Sequence, residues 1–400
     1  MRSTIAILSS LLWTCCLSAA ILEVGPDKPF DRIELALAKA HAGDEVVVYP
    51  LPDGKAYPRT ALMVRTARLT IRSSDPQQLV ALDGKGFDYS GQGSIPRAIV
   101  QFDPSASGST LEGFDLAGAR NFSFNAAGVR INAANDITIR RCSIHHNDMG
   151  IMSNGSLQDR TGTDQLIDAC TITRNGSDKE PGYNHNLYLG GTSVIVRGCE
   201  IAFSTTGHNL KSRAHFNWIE YNFIHDSANR ELDLVDAAGN TNAPNSDAVL
   251  LGNIITKTAP RMDGNKAVIH FGKDGEAVHA GRVFLVHNTI TTPYASPILD
   301  ISSSTGAVLI NNRIDDGKAR ISGTVISARA QVNLADVIGQ GNLFAPSFMA
   351  KLPAGIQPGE PVAWDAIDLP WPQASKTRLM QFRHAGDLAP RTTSTPGAKD

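Results

Sequence analysis

Three short runs, Leu187-Tyr188-Leu189, Leu210-Lys211-Ser212 and Leu232-Asp233-Leu234, place a phenol, an ammonium and a carboxylate between mostly apolar neighbours. Tyr188 to Lys211 spans 23 residues and Lys211 to Asp233 spans 22. In extended chain successive side chains face opposite ways, so the flanking residues turn inward and the middle one outward. Ile151-Met152-Ser153 and Ile269-His270-Phe271 have the same form, giving an outer row Met152, Tyr188, Lys211, Asp233, His270 beside a second row Gly150, Asn186, Asn209, Glu231. His185 and His208 stand three residues before Tyr188 and Lys211, Arg213 two after Lys211, and Arg230 and Asp236 flank Asp233.

Such a set suits β-elimination from a uronate, or its epimerisation. A cation must neutralise the carboxylate, a base must take the C5 proton, and an acid must protonate the leaving O4. Lys211 is the expected base, its pKa lowered by Arg213 and its surroundings. Tyr188 or His208 is the expected acid, and Arg213 or Asn209 the carboxylate holder. Tyr183, His185, Asn186, Arg230, Asp233, Asp236 and His270 are expected substrate contacts. Two other readings use the same residues. Glycoside hydrolysis needs two carboxyls flanking the bond, which Glu231, Asp233 and Asp236 could supply. A non-catalytic glycan-binding protein would use Lys211 and Asp233 as an ordinary surface ion pair.

These residues lie within a repeat. Ile137-Thr138-Ile139 leads to Cys142-Ser143-Ile144, Val194-Ile195-Val196 to Cys199-Glu200-Ile201, and Val249-Leu250-Leu251 to Asn253-Ile254-Ile255. The marked column Cys142, Cys170, Cys199, Asn222, Asn253, Asn288, Asn312 steps by 28, 29, 23, 31, 35 and 24 residues. Short period-2 runs bounded by Asn, Gly or Asp are strands and turns. A repeat of this length built from strands alone is a solenoid, whereas propeller blades need longer, steadier units. The expected fold is all-β, a right-handed parallel β-helix. Equivalent residues then stack about 4.8 Å apart, and an Asn column can hydrogen-bond along the stack. The three cysteines belong to this column, at spacings unlike those of metal ligands.

The chain has 400 residues, 42% apolar and 19% charged, enough core for an ordered protein. Its 37 basic against 39 acidic residues argue against a general nucleic-acid binder. Met1-Arg2-Ser3, the apolar Ile5 to Leu17 and Ser18-Ala19-Ala20 form a signal-peptide pattern, residues 1–20. A secreted or periplasmic monomer with no membrane span is expected. Residues 21–345 form the β-helix, capped by a helix carrying Phe30, Ile33, Leu35, Leu37 and Ala38. The Pro-rich residues 346–400 are expected as an irregular tail on the solenoid, frayed beyond about Thr392.

The opening Leu22-Glu23-Val24-Gly25 through Ala36, Ala40, Gly43-Asp44 and Val46 to Val48 resembles that of the pectate-lyase-like superfamily. The body resembles the bacterial right-handed β-helix repeat proteins of that group, over roughly residues 22 to 345. Gly207-His208-Asn209-Leu210-Lys211-Ser212, with Asn217 and Asn222, looks like the lysine-bearing coil of polysaccharide lyase family 6. That resemblance implies Lys211 as base and an acidic polysaccharide as partner. It also implies calcium, but Ser204 and Thr206 stand where the family has acidic ligands, so no metal or other cofactor is assigned. Arg230 lies near the position of the family's arginine, out of alignment with it.

Overall fold

The computed structural model describes residues 19–179, 183–258, 267–275, 277–293, 297–303, 306–317, 323–329, 332–370 and 378–400. The segment expected as a signal peptide lies outside these, apart from residues 19–20. Each coil contributes one strand to each of three parallel sheets. One coil runs through Ser193–Arg197, Glu200–Ala202 and Leu210–Ser212, and its strands pair with Phe216–Glu220, Phe223–His225 and Leu232–Val235 of the next. The third sheet has ten strands, from Leu62–Val64 to Ile326–Ala328. The protein is an all-β, right-handed parallel β-helix. Among the described residues, the one antiparallel pair is the hairpin Met380–His384 with Asp387–Pro390.

Alternation sets what fills the interior. The third sheet stacks Ile151, Leu187, Leu210, Leu232, Ile269 and Leu299 in register, all fully buried. The second sheet stacks Ile144, Ile172, Ile201, Ile224, Ile255 and Ile290 likewise. A β-branched or Leu side chain on every coil fits a pleated surface buried from within, each contributing about 1.5–3 kcal/mol.

The corner between first and second sheets is a two-residue turn. Its first residue is left-handed, as at Arg141, Ala169, Tyr221, His287 and Asn311 with φ between 48° and 56°. Gly252 holds this place before Asn253 at φ 63°, where an added Cβ would come within 2.6 Å of the Tyr221 ring. The second residue is the expected column. The Cys142 N–H donates to Cys170 Sγ at 3.5 Å, and the Cys199 N–H to Asn222 Oδ1 at 2.9 Å. Asn222, Asn253, Asn288 and Asn312 each donate an amide N–H to the Oδ1 above, the series ending on Asn342. All three cysteines are buried thiols, and burial pushes those of Cys142 and Cys170 well above the ordinary value.

The ends depart from expectation. The cap helix is only Ile33–Leu37, burying Ile33 and Ala36 while Leu35 faces solvent. Phe30 precedes it because its backbone already bridges Val24. Ile356–Pro358 still pairs with Val337–Phe344, so solenoid pairing reaches past 345. The segment beyond Thr392 is not frayed. The Thr392 N–H donates to Asp400 Oδ2 at 2.6 Å, the Gly397 N–H to the Asn311 carbonyl at 2.8 Å, and Ala398 is fully buried. No described helix is long and apolar enough to cross a membrane.

Asn253 Oδ1 accepts the backbone N–H of Asn222, and its amide donates to the Ile219 carbonyl. Asn253→Ala leaves both groups dry and unpaired, so unfolding free energy should fall by about 2–5 kcal/mol. Urea titration checks this as a lower midpoint at unchanged slope.

Candidate functional site

The outer row assembles in the expected order, Met152 beside Tyr188, then Lys211, Asp233 and His270 on consecutive coils. Outward direction does not bring exposure. Tyr188 is half-buried, Lys211 is 8% exposed, and Asp233 and His270 are fully buried. Neighbours in the row and the loop around Asp274 close over them.

Asp233 is the centre. Its Oδ2 accepts from Lys211 Nζ at 2.7 Å and faces His208 Nε2 at 3.3 Å. Its Oδ1 meets Arg230 Nη1 and, at 2.9 Å, His270 Nδ1. Burial alone would raise its pKa. The nearby His208 N–H, the His270 contact and the positive charges of Lys211 and Arg230 outweigh burial and hold it well below the carboxylate range. His270 Nε2 lies 2.9 Å from Ser302 Oγ, whose hydroxyl donates to the Lys273 carbonyl.

The two histidines belong to a row of their own. Their rings stack at 5.0 Å with 12° between planes. His185 Nδ1 accepts the backbone N–H of His208, and His208 Nδ1 accepts that of Arg230. Each proton is therefore on Nε2. Burial drops His208 to about 4 and His185 well below its ordinary value, so both are neutral near pH 7. The expected acid His208 is corrected here. Its one N–H faces Asp233 inside the protein and cannot reach a ligand.

Lys211 is corrected in its protonation. Burial would lower its pKa, but Asp233 and Asp274 outweigh that and raise it, keeping the ammonium charged. Asp274 Oδ2 lies 2.9 Å from Lys211 Nζ and 3.2 Å from Arg213 Nη2. Arg213 Nε donates to Tyr188 Oη at 3.1 Å, and its Nη1 donates to the Asp236 carbonyl. Lys211, Arg213, Tyr188 and Asp274 thus form the half-open mouth over the buried Asp233.

Several expected contacts serve inside the fold. Asn186 and Asn209 are fully buried in a second ladder, running Asn147, Asn175, Asn186, Asn209 and onto Glu231. Glu231 lies 3.5 Å from Lys257, both dry; burial raises the acid and lowers the base. Asp236 accepts the backbone N–H groups of Asp274, Gly275 and Ala277, fixing the loop that carries Asp274. With Glu231, Asp233 and Asp236 so engaged, the hydrolase reading lacks a free pair of carboxyls. Arg230, His185 and His270 likewise lie behind the mouth. Tyr183 is 52% exposed in the loop before them.

Sequence reasoning missed Asp274, Ser302 and Lys257. Asp274 follows its strand by two residues and carries no periodic signal. The second ladder was readable in part, because Asn147 and Asn175 are spaced like Cys142 and Cys170. Ser204 and Thr206 are buried, and Ser204 Oγ donates to the Gly207 carbonyl. Among the described residues no group of three or more His, Cys, Asp or Glu is placed to hold a metal.

No protein-family profile and no curated protein matches the chain. It is similar to several solved structures. Pectate lyase Pel9A is 12% identical, with 95% of this chain and 89% of that one covered at a TM-score of 0.48. Pectin methylesterase from Yersinia enterocolitica is 14% identical, covering 85% and 98% at 0.39. A PL6 alginate lyase in complex with a trisaccharide is 11% identical, covering 95% and 92% at 0.36. These likenesses assign no residue a role.

Asp233→Ala strands four buried donors and should cost about 3–5 kcal/mol, read as a lower urea midpoint. Acid sensitivity follows from the histidines. Unfolded His208 takes a proton near 6.5 and folded His208 only near 4, so its contribution is complete above about 6.5. It is lost as pH falls toward 4. Asp233, lowered in the fold, adds a further loss below about 4. Urea midpoints should fall from pH 7.5 to pH 4.5, and His208→Gln should flatten that slope.

Proposed function

We propose that the protein is a polysaccharide lyase that cleaves a uronate-containing polymer by β-elimination. The observation that carries this reading is the bridging carboxylate at the mouth. Asp274 already spans an ammonium and a guanidinium that is also bonded to a phenol. The uronate carboxylate takes that place, displacing Asp274, and the two cations stabilise the negative charge that grows on it as the C5 proton leaves.

This assigns Lys211 the carboxylate, together with Arg213, and transfers the proton work to Tyr188. As phenolate, Tyr188 Oη removes the C5 proton. The C5–H electron pair becomes the C4–C5 double bond as the C4–O4 bond breaks, and O4 departs with the proton that Tyr188 has gained. Asp233, Arg230, His208 and His270 hold Lys211 in place and are positioning residues. The apolar leader supports export, and a chain near charge balance acts on an acidic glycan as a monomer, outside the cytoplasm.

Incubation with alginate, glucuronan, pectate and bacterial exopolysaccharides should give, on at least one, the ultraviolet absorbance of an unsaturated uronate. Tyr188→Phe should cut that rate by about a hundredfold or more while the melting temperature holds. New reducing ends without absorbance mean a hydrolase, and retention on the polymer without product means a binding protein. Either result, or full activity in Tyr188→Phe, defeats the proposal.

A further inference from the structure

A groove of about 790 Å³ opens at the corner between the second and third sheets. Its floor is a column of outward side chains on successive coils, His146, Arg174 and Phe203. Each occupies the left-handed turn position, with φ of 54°, 54° and 53°. That backbone turns all three away from the core, and the Arg174 guanidinium lies over the Phe203 ring, 4.7 Å from its centroid. Arg120, Phe124 and Lys179 complete the walls that matter.

The charges here are unequally committed. Asp148 is 1% exposed and accepts from Arg120 Nη1 and from the Asn121 N–H, both at 2.9 Å. Its charge is spent inside the wall. No carboxylate among the described residues pairs with Arg174, which is exposed. Partial desolvation, together with the neighbouring His145 and the positive charges of Arg174 and Arg120, lowers the pKa of His146. An available guanidinium over an aromatic face, with a second ring close by, fits a ligand that is flat, apolar on one side and anionic at its edge. The volume lies in the range of small-ligand sites.

We infer that this groove is a second saccharide-binding site, taking a carboxylate-bearing sugar with its carboxylate on Arg174 and its ring against Phe203. The inference rests on the acidic polymer proposed above and extends it. Arg174 lies on the coil that carries Tyr188, and Phe203 on the coil that carries Lys211, with the His185–His208 row between groove and mouth. A polymer chain is therefore anchored at the corner of the same coils that hold the reacting mouth.

The test uses the full-length Tyr188→Phe protein, which separates binding from turnover, titrated calorimetrically with oligogalacturonate and oligoalginate. Size-matched neutral dextrins and inorganic phosphate serve as comparison probes. Arg174→Ala and Phe203→Ala, each placed on that background, should weaken binding of at least one acidic oligosaccharide about tenfold or more. Arg174→Ala alone, in the otherwise native protein, should raise KM for the polymer. Unchanged affinity in both variants, or equal binding of dextrin or phosphate, overturns the groove. Arg174-dependent binding in a protein that never forms unsaturated product keeps the groove and removes the lyase. Product formation with affinity indifferent to Arg174 and Phe203 does the reverse.

Discussion

Parallel strand pairing between coils is the constraint from which the rest follows. Once Leu187, Leu210 and Leu232 are stacked by their ladder hydrogen bonds, Tyr188, Lys211 and Asp233 are held one inter-strand spacing apart. A slip of one residue on any coil would send an outer side chain into the core and a leucine into water. The apolar stacks and the Asn columns both oppose that slip. The first do so by burial, and the second by supplying an amide partner only at the correct register. Stability and site geometry are thus two readings of one set of contacts.

That link explains why so much polarity is tolerated at the centre of the third sheet. Asp233 is taken fully out of water, a cost met only because four side chains from three consecutive coils converge on it. Two of those are histidines or their neighbours in a row whose other members are Ala98, Ala127 and Met149, all buried. His185, His208 and Arg230 hold this row on the coils that also carry Tyr188, Lys211 and Asp233. Among the described residues, Arg230 Nε has no hydrogen-bond partner there.

The winding was legible because periodicity and turn chemistry agree. Period-2 runs end on Asn or Cys at steps close to one coil, and the left-handed residue before each ends the strand cleanly. The outer row was legible for the same reason, down to its pairing order. Accessibility was not. Alternation fixes the direction of Asp233 and His270 but is silent on how many donors gather over them. Asn186 and Asn209 share a face with the site in sequence terms yet turn inward as a ladder. The step from Asn175 to Asn186 is only 11 residues because both lie on one coil, Asn175 after its second-sheet strand and Asn186 before its third-sheet strand, which hides the second column from a fixed-period search. The protonation of Lys211 depended on Asp274, a loop residue with no sequence signature. Phe30 was misplaced on the cap helix because a backbone bridge to Val24 competes with helix formation at that point.

The segment 378–400 gives the solenoid a property its repeats lack. A stack of coils in contact only with neighbours can unzip from an end one rung at a time. Here Phe382 packs near Phe223, Leu388 beside Gly198, Arg391 against His287, and the Ala398 N–H donates to Thr289. One strap therefore touches rungs between 198 and 313 together. Peeling a single rung in that span means lifting the strap from all of them, which converts a chain of independent steps into one concerted event.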